Sequence, residues 1–467
     1  GGIEASLRRV THYDYWDDRL HPSILVDTKA DLLVYGMGEN PLKAIVSELK
    51  NGKRANEIKD IPQTAYMVAK TDIEPYAEIK DIYLASYEDC LKDKINQAKN
   101  FRIVEEQSNM VNASRIIQTY DEKAIIINPP YPPMSEQEID ASFDLPYTRL
   151  PHPKYKEKVI PAFEMIKFSV NMHRGCFGGC AFCTISAHQG KFIASRSKKS
   201  ILKEVKEVIE MPDFKGYLSD LGGPSANMYG MKGKDERICA KCKRPSCIDP
   251  KICKNLNIDH SHLLDVYKAV DSLPQIKKSF IGSGIRYDML LHRNEDDKLN
   301  KISDEYTKEL IVNHVSGRLK VAPEHTSSQV LGYMRKPGFD QFYAFKRIFD
   351  KLNKDNGLKQ QLIPYFISSH PGCTEIDMAE LAIATKPLGF KLEQIQDFTP
   401  SPMTVATEMY YTGYHPYTLE KVYTAKTKEQ KLAQRQFFFW YDKAYRQQII
   451  KSLKRLKRED LLKKLYS

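Results

Sequence analysis

The run RGCFGGCAFC sets Cys176, Cys180 and Cys183 in a C-x3-C-x2-C spacing, and no other feature constrains this chain as strongly. Three thiolates can hold a four-iron cluster and leave one iron free for chemistry. A structural zinc would want a fourth protein ligand, and only His188 follows at short range, at an unusual spacing. Gly175, Gly178 and Gly179 let the backbone fold tightly around a bound group, and Phe182 supplies an apolar wall beside the last thiolate. A zinc site completed from elsewhere and incidental thiols are the competing readings.

Around this loop the chain alternates strand-like and helical runs, which is the pattern of a parallel βα array. Strands are expected near Ile166–Met172, Gly216–Leu221, Ser279–Ser283, Leu319–Ala322, Gln361–Ser368 and Glu393–Phe398. Ser197 caps a helix whose apolar face is Ile201, Val205, Val208 and Ile209, with Pro212 beyond its end. Six such units predict an α/β chain with an incomplete (βα)6 TIM-type barrel, whose active site lies at the carboxyl ends of the strands. The cysteine loop follows the first strand, as that rule requires.

Together with NMHRGCFGGCAFC, the stretches SDLGGPSANMYG, GSGIRYD and KVAPEHTS resemble the radical S-adenosylmethionine (radical SAM) superfamily, and within it the YgiQ-type subgroup. The resemblance spans most of the chain. It implies a [4Fe-4S] cluster on Cys176, Cys180 and Cys183 whose unique iron chelates SAM, and reductive cleavage of SAM to a 5′-deoxyadenosyl radical. An electron donor such as flavodoxin or ferredoxin and a substrate that the resemblance does not name are implied with it. Gly222 and Gly223 match the glycine-rich motif that holds the SAM amino group, although Pro224 stands where an acidic residue is usual; a tight turn would ask for the same glycines. Ser283 and Arg286 end the third strand, where a guanidinium can pair with the SAM carboxylate at two points, against the alternative of an ordinary surface ion pair. Glu324 and His325 end the fourth strand and are candidates for ribose or substrate, against a structural hydrogen-bond role. Cys373, in SSHPGCT, replaces the Glu of a common Pro-Gly-Glu-Thr turn and is the candidate thiol at the radical site, against the alternative of a buried structural cysteine.

A second set, Cys239, Cys242, Cys247 and Cys253 in CAKCKRPSCIDPKIC, can close a four-thiolate site. Zinc and an auxiliary [4Fe-4S] cluster both satisfy it. Lys241, Lys243, Arg244, Lys251 and Lys254 would offset the negative charge of either centre. Seven of the nine cysteines fall in these two sets, which argues for a reducing cytoplasm rather than a disulfide framework. Cys90 has no partner in sequence and carries no functional expectation.

The expected domains are a partial Rossmann-like unit at 1–127, a proline-rich linker at 128–160, and the barrel at 161–400 with a cysteine-rich insertion at 224–258. An extension at 401–467 completes them. Asp31–Met37 reads as a strand followed by a helix capped by Asn40, with Pro41 in its first turn and Gly52 beyond it. LLVYGMGENP resembles the closing part of cobalamin-binding-type Rossmann domains, but the Asp, His and Gly motif of that family is absent, so either the chain starts after it or, the favoured reading, the domain never bound cobalamin. No apolar run approaches the roughly 20 residues of a membrane span, and no export signal follows Gly1; the chain is read as soluble, and as one that can begin partway through a longer protein.

The net charge of +11 is concentrated at one end. Residues 426–467 carry 13 Lys and Arg against 4 Asp and Glu, a net of +9, while the preceding 425 residues carry 58 against 56, a net of +2. Ile449, Ile450, Leu453, Leu456, Leu461 and Leu465 recur there at helical spacing, so the tail reads as an amphipathic helix packed on the body. The alternative is an RNA-binding face. With it stand two further functional readings, an RNA-modifying methylthiotransferase-like enzyme and a non-enzymatic, metal-stabilised nucleic-acid-binding protein.

Overall fold

The computed structural model describes residues 1–76, 79–156, 158–389, 391–392 and 394–467. In the amino-terminal part, alternate residues of two isoleucine-rich strands point to opposite faces of a sheet. Ile116, Ile125 and Ile127 enter one core, while Ile117, Ala124 and Ile126 enter another. The sheet has five strands in the order Leu33–Val34, Thr64–Ala69, Lys123–Ile127, Arg115–Tyr120 and Asp81–Tyr83.

This sheet corrects the Rossmann-like expectation for 1–127. Only the pairing of Asp81–Tyr83 with Arg115–Tyr120 is parallel; the other three are antiparallel. The cause is local. Two residues, Asp121 and Glu122, join the central strands, and so short a connection makes a hairpin, whereas a parallel crossover needs a dozen residues or more. The helix Glu39–Lys50 does follow the first strand, but its N-cap is Gly38. Asn40 lies inside the helix and donates its side-chain amide to Glu138 at 3.1 Å.

The linker expected at 128–160 is also corrected. Its prolines stop at Pro133 and resume at Pro146, and between them the capping box of Ser135 and Glu138 starts the helix Glu136–Phe143. Asp140 of that helix accepts hydrogen bonds from the Ser197 backbone at 2.9 Å and hydroxyl at 2.5 Å, so the segment is tied to the body. Glu157 lies outside the described residues.

Strands lie in or beside all six expected regions, the third only as Lys278–Ser279, and pair in parallel in three sheets, the two short ones making a first group joined through Ser219. Ser169–Asn171 pairs with Asp220–Gly222, and Tyr217–Leu218 with Lys278–Ser279. In the second group Arg318–Glu324 pairs with Gln361–Ser368, and that strand with Gln394–Asp397. The first strand starts later than expected because Pro161 opens a helix that runs to Ile166. Of the sixth, Glu393 lies outside the described residues. Helices Lys198–Ile209, Ser261–Asp271, Asp297–Asn313, Phe339–Asp355 and Glu375–Thr385 alternate with the strands. Val170, Leu221, Ile281, Leu319 and Leu362 from both groups share one core.

The basic tail forms helices Lys443–Arg455 and Glu459–Tyr466, and Ile449, Leu453, Leu461 and Leu465 bury against Met378, Leu381 and Ala382. Packing accounts for the apolar repeat. Arg455 pairs with Glu375 at 2.5 Å, a half-exposed contact that adds little stability. No helix among the described residues is long and apolar enough to cross a membrane.

Helix Val405–Thr412 packs on Lys94–Ser108 through a buried carboxyl. Glu408 accepts a hydrogen bond from the Gln97 amide at 3.1 Å, and burial pushes it from 4.5 up to about 8. Between those values the folded chain keeps a proton that the unfolded chain releases, so this group's contribution to stability falls as pH rises through the window and is flat above it. Glu408→Gln should remove that fall, leaving the variant more stable by a few kcal/mol, on the order of 3, at pH 8.5 and nearly unchanged at pH 4.5. Urea unfolding at both pH values measures it; a variant-minus-parent difference that does not grow with pH would refute the buried proton.

Candidate metal and cofactor site

The cysteine loop is closed before any metal is considered. His173–Arg174 pairs antiparallel with Ala194–Ser195, the Gly175 amide donates to the Gln189 side chain at 3.0 Å, and the Cys176 amide donates to Gly190 at 3.1 Å. Gly175 has a φ of +86°, and a Cβ there would lie 2.0 Å from the Phe192 carbonyl oxygen. Gly175→Ala should therefore misplace Cys176 and cost about 3 kcal/mol or more. Iron content after anaerobic reconstitution, with a melting curve beside it, tests this; parental values for both would refute it.

Gly178 shows why the loop needs a residue without a side chain. A Cβ there would lie 3.2 Å from Arg286 Nη1, 3.3 Å from Cys176 Sγ and 3.9 Å from Cys180 Sγ, so two sulfurs and a guanidinium converge on one point. Burial pushes the Cys176 thiol up to about 11 and the Cys183 thiol up to about 12. The pocket favours neutral thiols until a cation compensates the thiolates. Phe182, half-buried beside Cys183, meets the His370 ring edge to face at 5.9 Å. His188 is not among the converging groups; its Nδ1 hydrogen-bonds Ser6 at 2.9 Å.

Of the two expectations for Arg286, the structure shows the ion pair. Its Nε and Nη2 donate to the two oxygens of Asp288 at 2.9 and 2.7 Å, and the remaining Nη1 lies 3.5 Å from Cys180 Sγ. Burial opposes the charge, but Asp288 and the thiols of Cys180 and Cys176 outweigh it and hold the guanidinium well above its ordinary value. Asp288 already fills the fork that a ligand would need. The motif GSGIRYD held this signal, since the acid stands two residues after the arginine.

Gly222 and Gly223 are required by close packing rather than by a turn. Neither has a positive φ, yet a Cβ on Gly222 would lie 2.0 Å from Ser283 Oγ and one on Gly223 would lie 2.4 Å from the His173 ring. Ser283 is engaged: its hydroxyl donates to Asp220 at 3.0 Å, and the amides of Gly282 and Ser283 donate to the same oxygen at 2.9 and 3.1 Å. Asp220 thus shapes the third strand end, a role that sequence reasoning missed although SDLGG contains it. His173 is fully buried with both ring nitrogens unpartnered, and burial lowers it to about 3. It is a neutral ring against the glycines, also missed.

Glu324 has a φ of +67°, a strained geometry for a non-glycine residue, and its carboxylate faces the buried Lys336 at 3.6 Å. His325 accepts from the Ser327 amide on Nδ1 at 3.0 Å, so its Nε2 carries the proton and points at Cys373 Sγ, 3.5 Å away. Burial lowers His325 to about 4 and pushes the Cys373 thiol well up. The pair is a neutral imidazole and a protonated thiol, unsuited to thiolate nucleophilic attack.

The second cysteine set docks on the first loop. The Cys247 amide donates to Phe177 at 3.0 Å, and the Ser246 hydroxyl donates to Gly178 at 2.8 Å. A Cβ on Gly179 would lie 2.6 Å from the Pro245 carbonyl oxygen. Cys239 accepts from the Asn255 amide at 3.3 Å, and a Cβ on Gly233 would lie 2.4 Å from its sulfur. Cys239, Cys247 and Cys253, with Lys191 and Tyr229, line a cavity of about 730 Å³. Burial pushes the Cys247 thiol up to about 11 against the opposing charge of Lys191. Lys191 is buried and donates to the Arg244 carbonyl at 2.9 Å. No sequence signal marked it out from the exposed lysines of the insertion.

Among the described residues, the one trio of His, Cys, Asp or Glu side chains whose ligand atoms all lie within 4.8 Å of one another is Asp271, Glu309 and His314. Neither cysteine set is therefore drawn to the sulfur spacing of roughly 3.8 Å that tetrahedral zinc with bonds of about 2.3 Å imposes. Cys90 is buried and accepts from the Asn100 amide at 3.1 Å, away from both sets.

Known proteins resemble this chain along its length. The radical SAM N-terminal family model matches residues 1–169, and that of a domain of unknown function, DUF3362, matches residues 393–464. A UPF0313 protein of Bacteroides thetaiotaomicron is 66% identical, with 100% of this chain and 77% of that protein covered. One from Porphyromonas gingivalis is 63% identical over 100% and 73%, and one from Methanocella arvoryzae is 42% identical over 99% and 75%. Among solved structures, the radical SAM methyltransferase TsrM of Kitasatospora setae, with tryptophan and aza-SAM bound, is 11% identical with a TM-score of 0.42, covering 88% of this chain and 56% of that one. The chain belongs to the UPF0313 family of radical SAM proteins.

Proposed function

We propose that this chain is the catalytic body of a radical SAM enzyme, with Cys176, Cys180 and Cys183 as ligands of one [4Fe-4S] cluster. The observation that carries the reading is the convergence of Cys176, Cys180 and Arg286 Nη1 on Gly178, at the carboxyl end of the first parallel strand. The donor set fits. Three thiols are the ligand count that leaves one iron open, and the glycine leaves room for the cluster between two of them. When bound there with SAM, such a cluster supplies a 5′-deoxyadenosyl radical by reductive cleavage.

The chain's own residues then have distinct tasks. Arg286, clamped by Asp288, offsets thiolate charge, while Gly222 and Gly223 let a ligand approach the second strand end. Glu324 with Lys336 offers a buried ion pair to ribose or substrate hydroxyls, and the Cys373 thiol, oriented by His325, stands as a neutral hydrogen-atom source. The two parallel groups sharing one core suit a partial (βα)6 barrel, and the nine free cysteines suit a reducing cytoplasm with flavodoxin or ferredoxin as electron donor. The proposed domains are a mixed-sheet unit at 1–127, the barrel at 161–400 with its cysteine-rich insertion at 224–258, and the extension at 401–467, with the helix-bearing segment 128–160 between the first two.

For the second set we favour an auxiliary [4Fe-4S] cluster, because the chain as read already builds one such centre and three of the four cysteines open on a large cavity. The test of the whole reading is anaerobic reconstitution followed by chemical reduction in the presence of SAM. Release of 5′-deoxyadenosine is expected; iron loading without any SAM cleavage would overturn the enzymatic reading.

A further inference from the structure

At the other end of the strands from both cysteine sets, two carboxylates face one buried imidazole nitrogen. We propose that Asp271, Glu309 and His314 form a binding site for one divalent cation of the zinc class. The site goes beyond the radical SAM reading and does not depend on it.

Asp271 is the last residue of helix Ser261–Asp271, while Glu309 and His314 lie at the end of helix Asp297–Asn313. Both helix ends meet at the start of the short strand Lys278–Ser279. His314 is fully buried, and its Nδ1 lies 2.7 Å from the Ser279 carbonyl oxygen. A carbonyl can only accept, so Nδ1 holds a proton, and Nε2 either keeps a lone pair for a metal ion or carries the second proton of an imidazolium. That nitrogen has no hydrogen-bond partner. It points at two carboxylates, 3.4 Å from Glu309 Oε1 and 3.9 Å from Asp271 Oδ2.

A lone pair facing two anions is repulsive; a proton on Nε2 or a metal cation between the three groups resolves the conflict, and the spacing favours the metal. Tetrahedral zinc with bonds of about 2.0–2.1 Å to nitrogen and oxygen keeps its ligand atoms roughly 3.4 Å apart, close to the spacing found here. One imidazole and two carboxylates suit a borderline cation better than calcium or magnesium.

The supporting groups are those a metal site uses. Donation from Nδ1 to a backbone carbonyl is the usual way a metal-binding histidine is oriented. Tyr267 packs on the imidazole with ring centroids 4.4 Å apart. The His314 backbone is held on both sides, by Leu310 at 3.0 Å and Ile281 at 3.0 Å. Ser279 donates its hydroxyl to Asp271 at 2.6 Å, and Asn313 donates to Glu309 at 2.9 Å, so both carboxylates are positioned. Their side chains are 34% and 26% exposed, which gives an ion a path in and leaves a position for water. Of the neighbouring lysines, Lys268 pairs with Glu305 at 2.7 Å and Lys278 donates to the Asn313 carbonyl at 3.5 Å. A bound cation would pin two helix ends to the strand start, a structural role.

The test uses the chain as purified, dialysed against Zn²⁺ under anaerobic conditions, beside the double variant Asp271→Asn, Glu309→Gln. These replacements keep size and stand at partly exposed positions, and zinc held by thiols is common to both proteins. The parent should bind one more zinc per chain, and its melting temperature should rise with zinc while that of the variant does not. Should the double variant fail to fold, Glu309→Gln alone should weaken the thiol-independent binding by about 100-fold. Equal zinc counts and equal melting shifts would overturn the proposal and leave an imidazolium paired with carboxylates.

Discussion

Cys180→Ala should empty the first centre of its iron and abolish reductive SAM cleavage. Two thiolates cannot hold a four-iron cluster that already leaves one iron without a protein ligand, so loss of the middle cysteine is not graded. Cys180 is also the sulfur that Arg286 Nη1 approaches at 3.5 Å, so the variant leaves that guanidinium facing an apolar methyl group. Iron should fall by about four per chain, and release of 5′-deoxyadenosine should fall to background. Cys90→Ala is the control: that thiol is buried beside Asn100, outside both sets, and its removal should leave both readouts intact. A Cys180→Ala protein that still releases 5′-deoxyadenosine at the parental rate would sink the ligand assignment.

Sequence reasoning found what depends on neighbours in the chain. Gln361–Ser368 was placed to the residue, because an apolar run bounded by polar turns is a local signal, and the Ser197 cap was found because its partner, the Ser200 amide, is three residues on. The hairpin at Asp121 and Glu122 was missed since those residues lack the usual Asn-Gly or Asp-Gly turn, and a parallel unit was assumed in its place. Arg286 was left between a ligand and an ion pair for another reason. Its charge was visible, but whether its fork faces a ligand or Asp288 depends on a turn that brings residues two apart face to face. The metal trio was invisible for the opposite cause, since Asp271 and Glu309 come from separate helices and only the fold sets their distance from His314. The docking of Cys247 on Phe177 lay equally out of reach, being a backbone contact that no side chain announces.

That docking decides what should survive when the first centre is destroyed. The insertion is fastened to the loop through the carbonyls of Phe177 and Gly178 and the close approach of Gly179 to Pro245. None of these contacts uses a sulfur of the first set. Replacing Cys176, Cys180 and Cys183 together by alanine should therefore leave Cys239, Cys242, Cys247 and Cys253 in place around their own metal. On the auxiliary-cluster reading the residual metal should be iron, about four per chain with thiolate-to-iron absorption. This centre would have no open coordination position, so the triple variant should cleave no SAM while keeping its colour. Thiol-bound zinc in place of iron would overturn the cluster assignment and leave a structural site. A folded triple variant in which these four thiols hold neither metal would remove the second centre altogether.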